Sequence, residues 1–257
     1  MTTDVNFMKE MKFSNAILFT GLPGIGLVGK IAVDYMLKEF KCEKVAEVVS
    51  DSFPPSVHTR NGIIGLIKDE IYYYSYNDQD YLFLAGPVQP SLDVRMGAMQ
   101  EHYEFANAIV DSLKQRGLKE INTLAGINVG DKRLVEEPRI VVASTSKKYL
   151  DSWKGHGAIN DRPEGLISGA AGLILGIGSQ KGIDGSCLMG ETNAKLIYGD
   201  HGSAKKLLEL IIKRYGFKLD MSGIKKEAKE IEKAFTQLSK QFEEPDDKPA
   251  EGLSYVR

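Results

Sequence analysis

The chain has 257 residues, 42% of them hydrophobic, and its 33 basic and 35 acidic side chains leave a formal charge of −2. That is enough to bury one large α/β core or two small ones, and the near-neutral balance excludes an advertised polyanion or anionic-membrane partner, so neither nucleic acid nor membrane is expected. No apolar run approaches the roughly 20 residues of a bilayer span, and MTTDVNFMKEMKF has no signal-peptide core, so a cytoplasmic protein is expected.

In chain order, Ala16 to Thr20 is a short apolar run that fits a buried strand. A Gly-Leu-Pro-Gly turn follows, then an amphipathic helical pattern at Leu27, Val28, Ile31, Tyr35 and Met36. Lys44 to Ser50 predicts the next strand, Pro54-Pro55 a break, and Gly62 to Tyr76 a hairpin turning near Lys68-Asp69. Tyr81 to Ala85 is another apolar strand, and a helix is predicted from about Met96 to Arg116, closed by Gly117. Ile121 to Ile127 and Arg139 to Ala143 complete a set of short strands separated by helices, the alternation that gives a mainly parallel sheet covered on both faces.

From Gly165 to Gly190 the sequence is glycine-heavy, which permits close approach of a helix to a sheet or to a second subunit, and Ser186 to Met189 fits one more strand. Ser203 to Tyr215 predicts a helix capped by Gly216. A further helix is predicted over Ser222 to Glu244, with Ile224, Ala228, Ile231, Phe235, Leu238 and Phe242 forming a coiled-coil-like seam for an oligomer or partner. The last segment is polar, holds Pro245 and Pro249, and ends in Leu253, Tyr255, Val256 and Arg257, a flexible tether with an apolar tip for partner binding. The organisation expected is therefore a domain over 1–217, an amphipathic helix over 218–244 and a flexible tail over 245–257.

The chemistry-bearing signals are few. Gly24-Ile-Gly26-Leu-Val-Gly29 has the spacing of a dinucleotide fingerprint, with Asp51 at the end of the next strand as a ribose-binding acid. Gly24 to Lys30 has Walker-A spacing, but Ile31 stands where a magnesium-binding hydroxyl is needed. The alternative is that Gly21, Gly24, Gly26 and Gly29 supply turn dihedrals and tight helix packing, which these residues favour. His58, His102, His156 and His201 have no metal-ligand spacing and fit surface or loop positions. Glu101 and Glu104 fit a solvated helix face, and Glu191-Thr192-Asn193 a plain loop or the lining of a small pocket. Cys42 and Cys187 fit buried free thiols. No catalytic residue, metal or cofactor is assigned.

Gly21-Leu-Pro-Gly-Ile-Gly-Leu-Val-Gly-Lys30-Ile-Ala, Phe53-Pro-Pro55, Gly86-Pro-Val-Gln89-Pro90, Thr123-Leu-Ala-Gly126-Ile, Gly172-Leu-Ile-Leu and Cys187-Leu-Met-Gly190-Glu191 together resemble the PAC2 family, which includes proteasome assembly chaperones. The resemblance runs in order from about Ala16 to Gly216. It implies a three-layer α/β/α sandwich similar to the purine nucleoside phosphorylase fold. It also implies a homo-oligomeric, ATP-independent chaperone that binds proteasome α subunits during core-particle assembly. Some members carry a terminal hydrophobic-tyrosine-any motif that docks between α subunits; here Tyr255 is third from the end of this sequence, not second. The competing reading, suggested by the glycine loop, Asp51 and the fold analogy, is an enzyme or binding protein acting on a nucleoside or nucleotide.

Overall fold

The computed structural model describes residues 3–90, 99–162, 164–196 and 198–229. The strands are β1 (Thr3–Phe7), β2 (Ala16–Gly21), β3 (Glu43–Ser50), β4 (Val57–Arg60), β5 (Ile63–Leu66), β6 (Asp69–Tyr76), β7 (Gln79–Ala85), β8 (Leu118–Asn128), β9 (Ile140–Ser144) and β10 (Asp184–Thr192). The helices are α1 (Val28–Glu39), α2 (Met99–Lys114), α3 (Lys132–Val135), α4 (Lys147–His156), α5 (Gly169–Gln180) and α6 (His201–Tyr215), and residues 222–229 are also helical.

Eight strands form one sheet in the order β1-β3-β6-β7-β2-β8-β10-β9, and β4 pairs with β5 in a separate ribbon. The central strands β7, β2, β8 and β10 are parallel. The flanking pairs are antiparallel, so the sheet is mixed where a mainly parallel one is expected from the alternation of elements. The reason is local: β6 and β7 are joined through Asn77 and Asp78, both at positive φ, and a connection that short can only make an antiparallel pair. Two hairpins replace the single one predicted over 62–76. The first turns at Asn61-Gly62, with φ of 51° and 79°, and Lys68-Asp69 is where the chain passes from the small ribbon into the large sheet.

Helices cover both faces of the sheet. On one, α1, α4 and α6 enclose a core built on Phe19, Phe83, Leu124, Leu188 and Trp153; on the other, α2 and α5 enclose Leu18, Leu82, Ile121, Phe105 and Ile174. Burying side chains of this size stabilises by about 1.5–3 kcal/mol each. Phe19 stacks on Phe83 with ring centroids 5.8 Å apart and meets Tyr215 edge-on at 5.4 Å. The glycine-heavy segment makes α5, whose Gly178 lets the helix settle on the Ile121 side chain; Gly185, at the start of β10, lies against the Ile121 backbone. Gly216 ends α6 at φ 70°, as the sequence predicts.

Candidate functional site

Strands β2, β7, β8 and β10 all end at one edge of the sheet, where α/β proteins most often bind ligands. The glycine loop is built there. A Cβ on Gly21 would run into the Gly29 carbonyl and the Val33 side chain, and a Cβ on Gly29 would strike the backbone oxygen of Leu124 in β8. Gly26, at φ 61°, faces Thr192 of β10 with no room for a side chain. Its carbonyl accepts the Asp200 N–H at 2.8 Å. These three glycines press the first turn of α1 onto two strand ends. Gly24 is different: its backbone is extended, and a side chain there would meet nothing within 4 Å.

Gly24 borders a cavity of about 240 Å³ between the loop, the ends of β2 and β8 and the start of α5. Leu22, Pro23, Leu124, Ile127, Ile167 and Ala170 make much of its wall, and among its described lining residues none carries a charge. Gln89 spans it, donating from Nε2 to the Pro23 carbonyl at 2.5 Å and accepting the Ala170 N–H on Oε1 at 3.1 Å. Lys30 is turned along α1, with Nζ 2.7 Å from Asp34. Asp51 borders a separate depression beside Pro54, Pro55 and Val57, at the end of β3. Since β6 and β7 intervene between β3 and β2, the ribose-binding role is corrected: a dinucleotide site needs the acid on the strand beside the loop.

Asp69 lies behind the same edge, fully buried. Burial pushes its carboxyl up to about 8, against a backbone contact from Val88 and the positive charge of Lys30. A Cβ on Gly86 would collide with this carboxyl, so glycine there lets the Gly86 to Pro90 segment, which carries Gln89, close over it.

Glu191 and Thr192 end β10 and Asn193 opens the loop after it; all three are buried in a polar framework, and none lines the cavity beside Gly24. Burial raises the Glu191 carboxyl, but hydrogen bonds from Arg139, at 2.5 and 3.0 Å, outweigh it and hold the group below the usual range. Thr192 donates to Asp200 at 3.0 Å, Asp200 caps α6 through the Ser203 N–H, and Arg133 grips both Asp200 oxygens at 2.8 and 2.9 Å. Such a desolvated pair fixes α3 and α6 to the end of β10.

Burial pushes the thiols of Cys42 and Cys187 up to about 12 and about 11, which removes both as nucleophiles near neutral pH. His58 is exposed, His156 and His201 are partly buried, and His102 is buried in α2, a correction to its surface assignment. The described residues contain no His, Cys, Asp or Glu group arranged to hold a metal, and no described helix is long and apolar enough to cross a membrane. Ile224 is buried, and its N–H reaches the Tyr35 hydroxyl at 3.3 Å. Ile231, Phe235, Leu238, Phe242, Leu253, Tyr255, Val256 and Arg257 lie outside the described residues, as does Met96. Asp69 and Gln89 escape sequence reasoning because their meaning depends on neighbours from other strands.

The crystal structure of PbaB from Pyrococcus furiosus, an archaeal proteasome activator, is similar, with 32% identity over 93% of this chain and 99% of that one and a TM-score of 0.83. The P. furiosus PbaA structure, an archaeal homologue of proteasome-assembly chaperone, matches at 25% identity over 93% of each chain, with a TM-score of 0.66. An uncharacterized protein of Methanocaldococcus jannaschii is 36% identical over 90% of this chain and 85% of its own length. The PAC2 family profile matches residues 18–239, and the chain belongs to the PAC2 family.

Proposed function

We propose that the protein is an ATP-independent chaperone of proteasome core-particle assembly that works as a homo-oligomer and binds proteasome α subunits. The observation that carries this reading is the PAC2 family match over residues 18–239, supported by the likeness to PbaA, a homologue of proteasome-assembly chaperone. The α-subunit contact is assigned to Leu253, Tyr255, Val256 and Arg257, where an aromatic anchor follows an acidic stretch. Ile224, Ile231, Phe235, Leu238 and Phe242 are assigned to the oligomer or partner helix. ATP independence is supported by the uncharged lining of the cavity beside Gly24 and by the pairing of Lys30 with Asp34, which leave a triphosphate without a described cationic partner there. The same features disfavour the nucleotide-enzyme reading.

A second reading, activation of the finished particle, is favoured by the description of PbaB as an activator. One experiment separates them: full-length protein is added to isolated α subunits and to finished core particles, without nucleotide. Chaperoning is expected to speed the formation of α-subunit rings on native gels; activation would raise peptide hydrolysis by finished particles instead. Tyr255→Ala is expected to weaken α-subunit binding by about 2 kcal/mol per engaged tail, or roughly thirtyfold. Equal binding by wild type and Tyr255→Ala in surface-plasmon measurements would remove the tail from the mechanism.

A further inference from the structure

Hairpin β4–β5 stands apart from the packed body. Every residue of both strands is exposed, including Val57, Ile63, Ile64 and Leu66 at 50%, 75%, 68% and 67%. Among the described residues the two strands pair only with each other, and a two-stranded ribbon is marginal in water without a third strand or a covering surface. The register places Val57 opposite Leu66 and Thr59 opposite Ile64 on one face, and Arg60 opposite Ile63 and His58 opposite Gly65 on the other. Residues of both faces, among them Thr59, Ile64, Arg60 and Ile63, border a groove of about 790 Å³ that reaches Lys68, Glu70 and Pro87. Glu70 is bound by Lys44 and Tyr72, and Lys68 by Glu47. Arg60 is left as a cation with no described ion pair beside exposed apolar side chains.

The occupant is specified by charge and by where the described chain stops. Residues 243–251 carry Glu243, Glu244, Asp246, Asp247 and Glu251 against Lys248, and Leu253, Tyr255 and Val256 follow. The helical residues 222–229 run from Tyr35, which meets the Ile224 N–H, to His201 at the start of α6, whose Nε2 is 3.3 Å from Glu227. They therefore climb toward the sheet edge at which β10 and β3 end and from which the hairpin projects. The residues from 229 to 243 cover roughly 20 Å as a helix and up to about 46 Å extended. Strand β3, which leads into the hairpin, lies three strand spacings from β2 and five from β10, roughly 15 and 24 Å.

We propose that the hairpin is the docking site for the acidic, apolar-tipped segment 243–257 of this chain. The segment adds its backbone along an open edge of the ribbon, setting its acids near Arg60 and its Leu253 and Tyr255 against the exposed aliphatic side chains. This is strand addition, in which main-chain bonds give affinity and alternate side chains give selectivity. Amide hydrogen exchange on the full-length protein alone tests it, with no proteasome subunit present, so the result is independent of the functional reading above. The β4 and β5 amides are expected to be protected at least tenfold in the wild type and to lose that protection in Leu253→Ser/Tyr255→Ser, while β2 and β8 amides stay unchanged. Arg60→Glu should weaken the protection, and Glu243→Lys/Glu244→Lys/Asp246→Lys/Asp247→Lys on the Arg60→Glu background should restore part of it. Hairpin amides that exchange freely in the wild type would overturn the proposal. So would protection that survives Leu253→Ser/Tyr255→Ser, because a different surface, such as one from a second copy, would then be the cover.

Discussion

The glycine loop and the β4–β5 hairpin project from the same edge of the sheet, and both are rich in glycine, yet their glycines answer to opposite demands. In the loop, Gly21, Gly26 and Gly29 are required by what lies against them: a helix turn, a threonine of β10 and a carbonyl of β8. In the hairpin, neither Gly62 nor Gly65 has an atom within 4 Å of where a Cβ would stand; Gly62 serves the turn through its φ of 79°. Glycine content alone therefore does not identify a ligand loop. What separates the two regions is whether the missing side chain is replaced by protein or by solvent.

The largest effect is expected from adding bulk to each. Gly29→Val forces a branched side chain into the Leu124 backbone, which sits opposite Leu188 and cannot move without disturbing the β8–β10 pairing, and should cost about 4 kcal/mol or more, enough to leave much of the protein unfolded. Gly65→Val places a good strand former in open space and should change stability by less than about 0.5 kcal/mol. Urea titrations of the two variants give the contrast directly. Equal destabilisation would mean that the hairpin is as tightly enclosed as the loop.

Asp69 lies between the two regions, opening β6 after the hairpin and touching Gly86 at the segment that leads to the cavity. Its folded value of about 8 stands above its ordinary 3.8 because burial disfavours the charge. The folded protein therefore holds a proton that the unfolded chain releases: its contribution is full below about 3.8, is lost as pH rises toward 8, and is constant above that. Asp69→Asn removes this dependence and should stabilise the protein at pH 7 by on the order of 4 kcal/mol, less the cost of seating an amide against Gly86. Urea midpoints measured from pH 4 to pH 8 should diverge between wild type and variant. Parallel curves would show that the carboxyl is as easily ionised as one in water.

How much of this was legible depends on which neighbours a signal needs. Ala16 to Thr20 and Tyr81 to Ala85 identify central strands because a strand buried on both faces is largely apolar, and Ile121 to Ile127 does so although it buries Asn122 and Thr123. The sequence places a turn at Lys68-Asp69 because that charged stretch interrupts the strand-forming residues of Gly62 to Tyr76; Asn61-Gly62, a stronger short turn signal just before that run, marks the actual reversal. Helix α4 is not legible in the sequence because KKYLDSWKGH has few apolar positions, and its main anchor, Trp153, is fully buried under an Arg214 guanidinium 4.2 Å from the ring. The order of strands cannot be read locally either, so in the sequence Asp51 reads as a neighbour of the glycine loop although two strands separate β3 from β2. The alternation of strands and helices carries the layering, and the family resemblance agrees with it.

The smallest expected effect gives the finest test of the loop. Lys30 is the residue that makes Gly24 to Lys30 look like a phosphate cradle, but it forms an i,i+4 pair with Asp34 in which both side chains keep contact with water. Such a pair contributes about 0.3–0.5 kcal/mol, so Lys30→Ala should lower stability by no more than roughly that. Its charge is one of the influences that lower the Asp69 carboxyl, and removing it should move the Asp69 titration upward, an effect visible in the carboxyl carbon shift across the pH range. A lysine devoted to phosphate would behave otherwise. Wild type would give a saturable calorimetric titration with Mg-ATP, and Lys30→Ala would abolish it, because a P-loop lysine neutralises charge that the backbone amides cannot. That pair of results would make the loop a ligand site and end the contrast with the hairpin. Flat titrations for both proteins, together with the upward shift of Asp69, would place Lys30 among the groups that tune a buried carboxyl at the sheet edge.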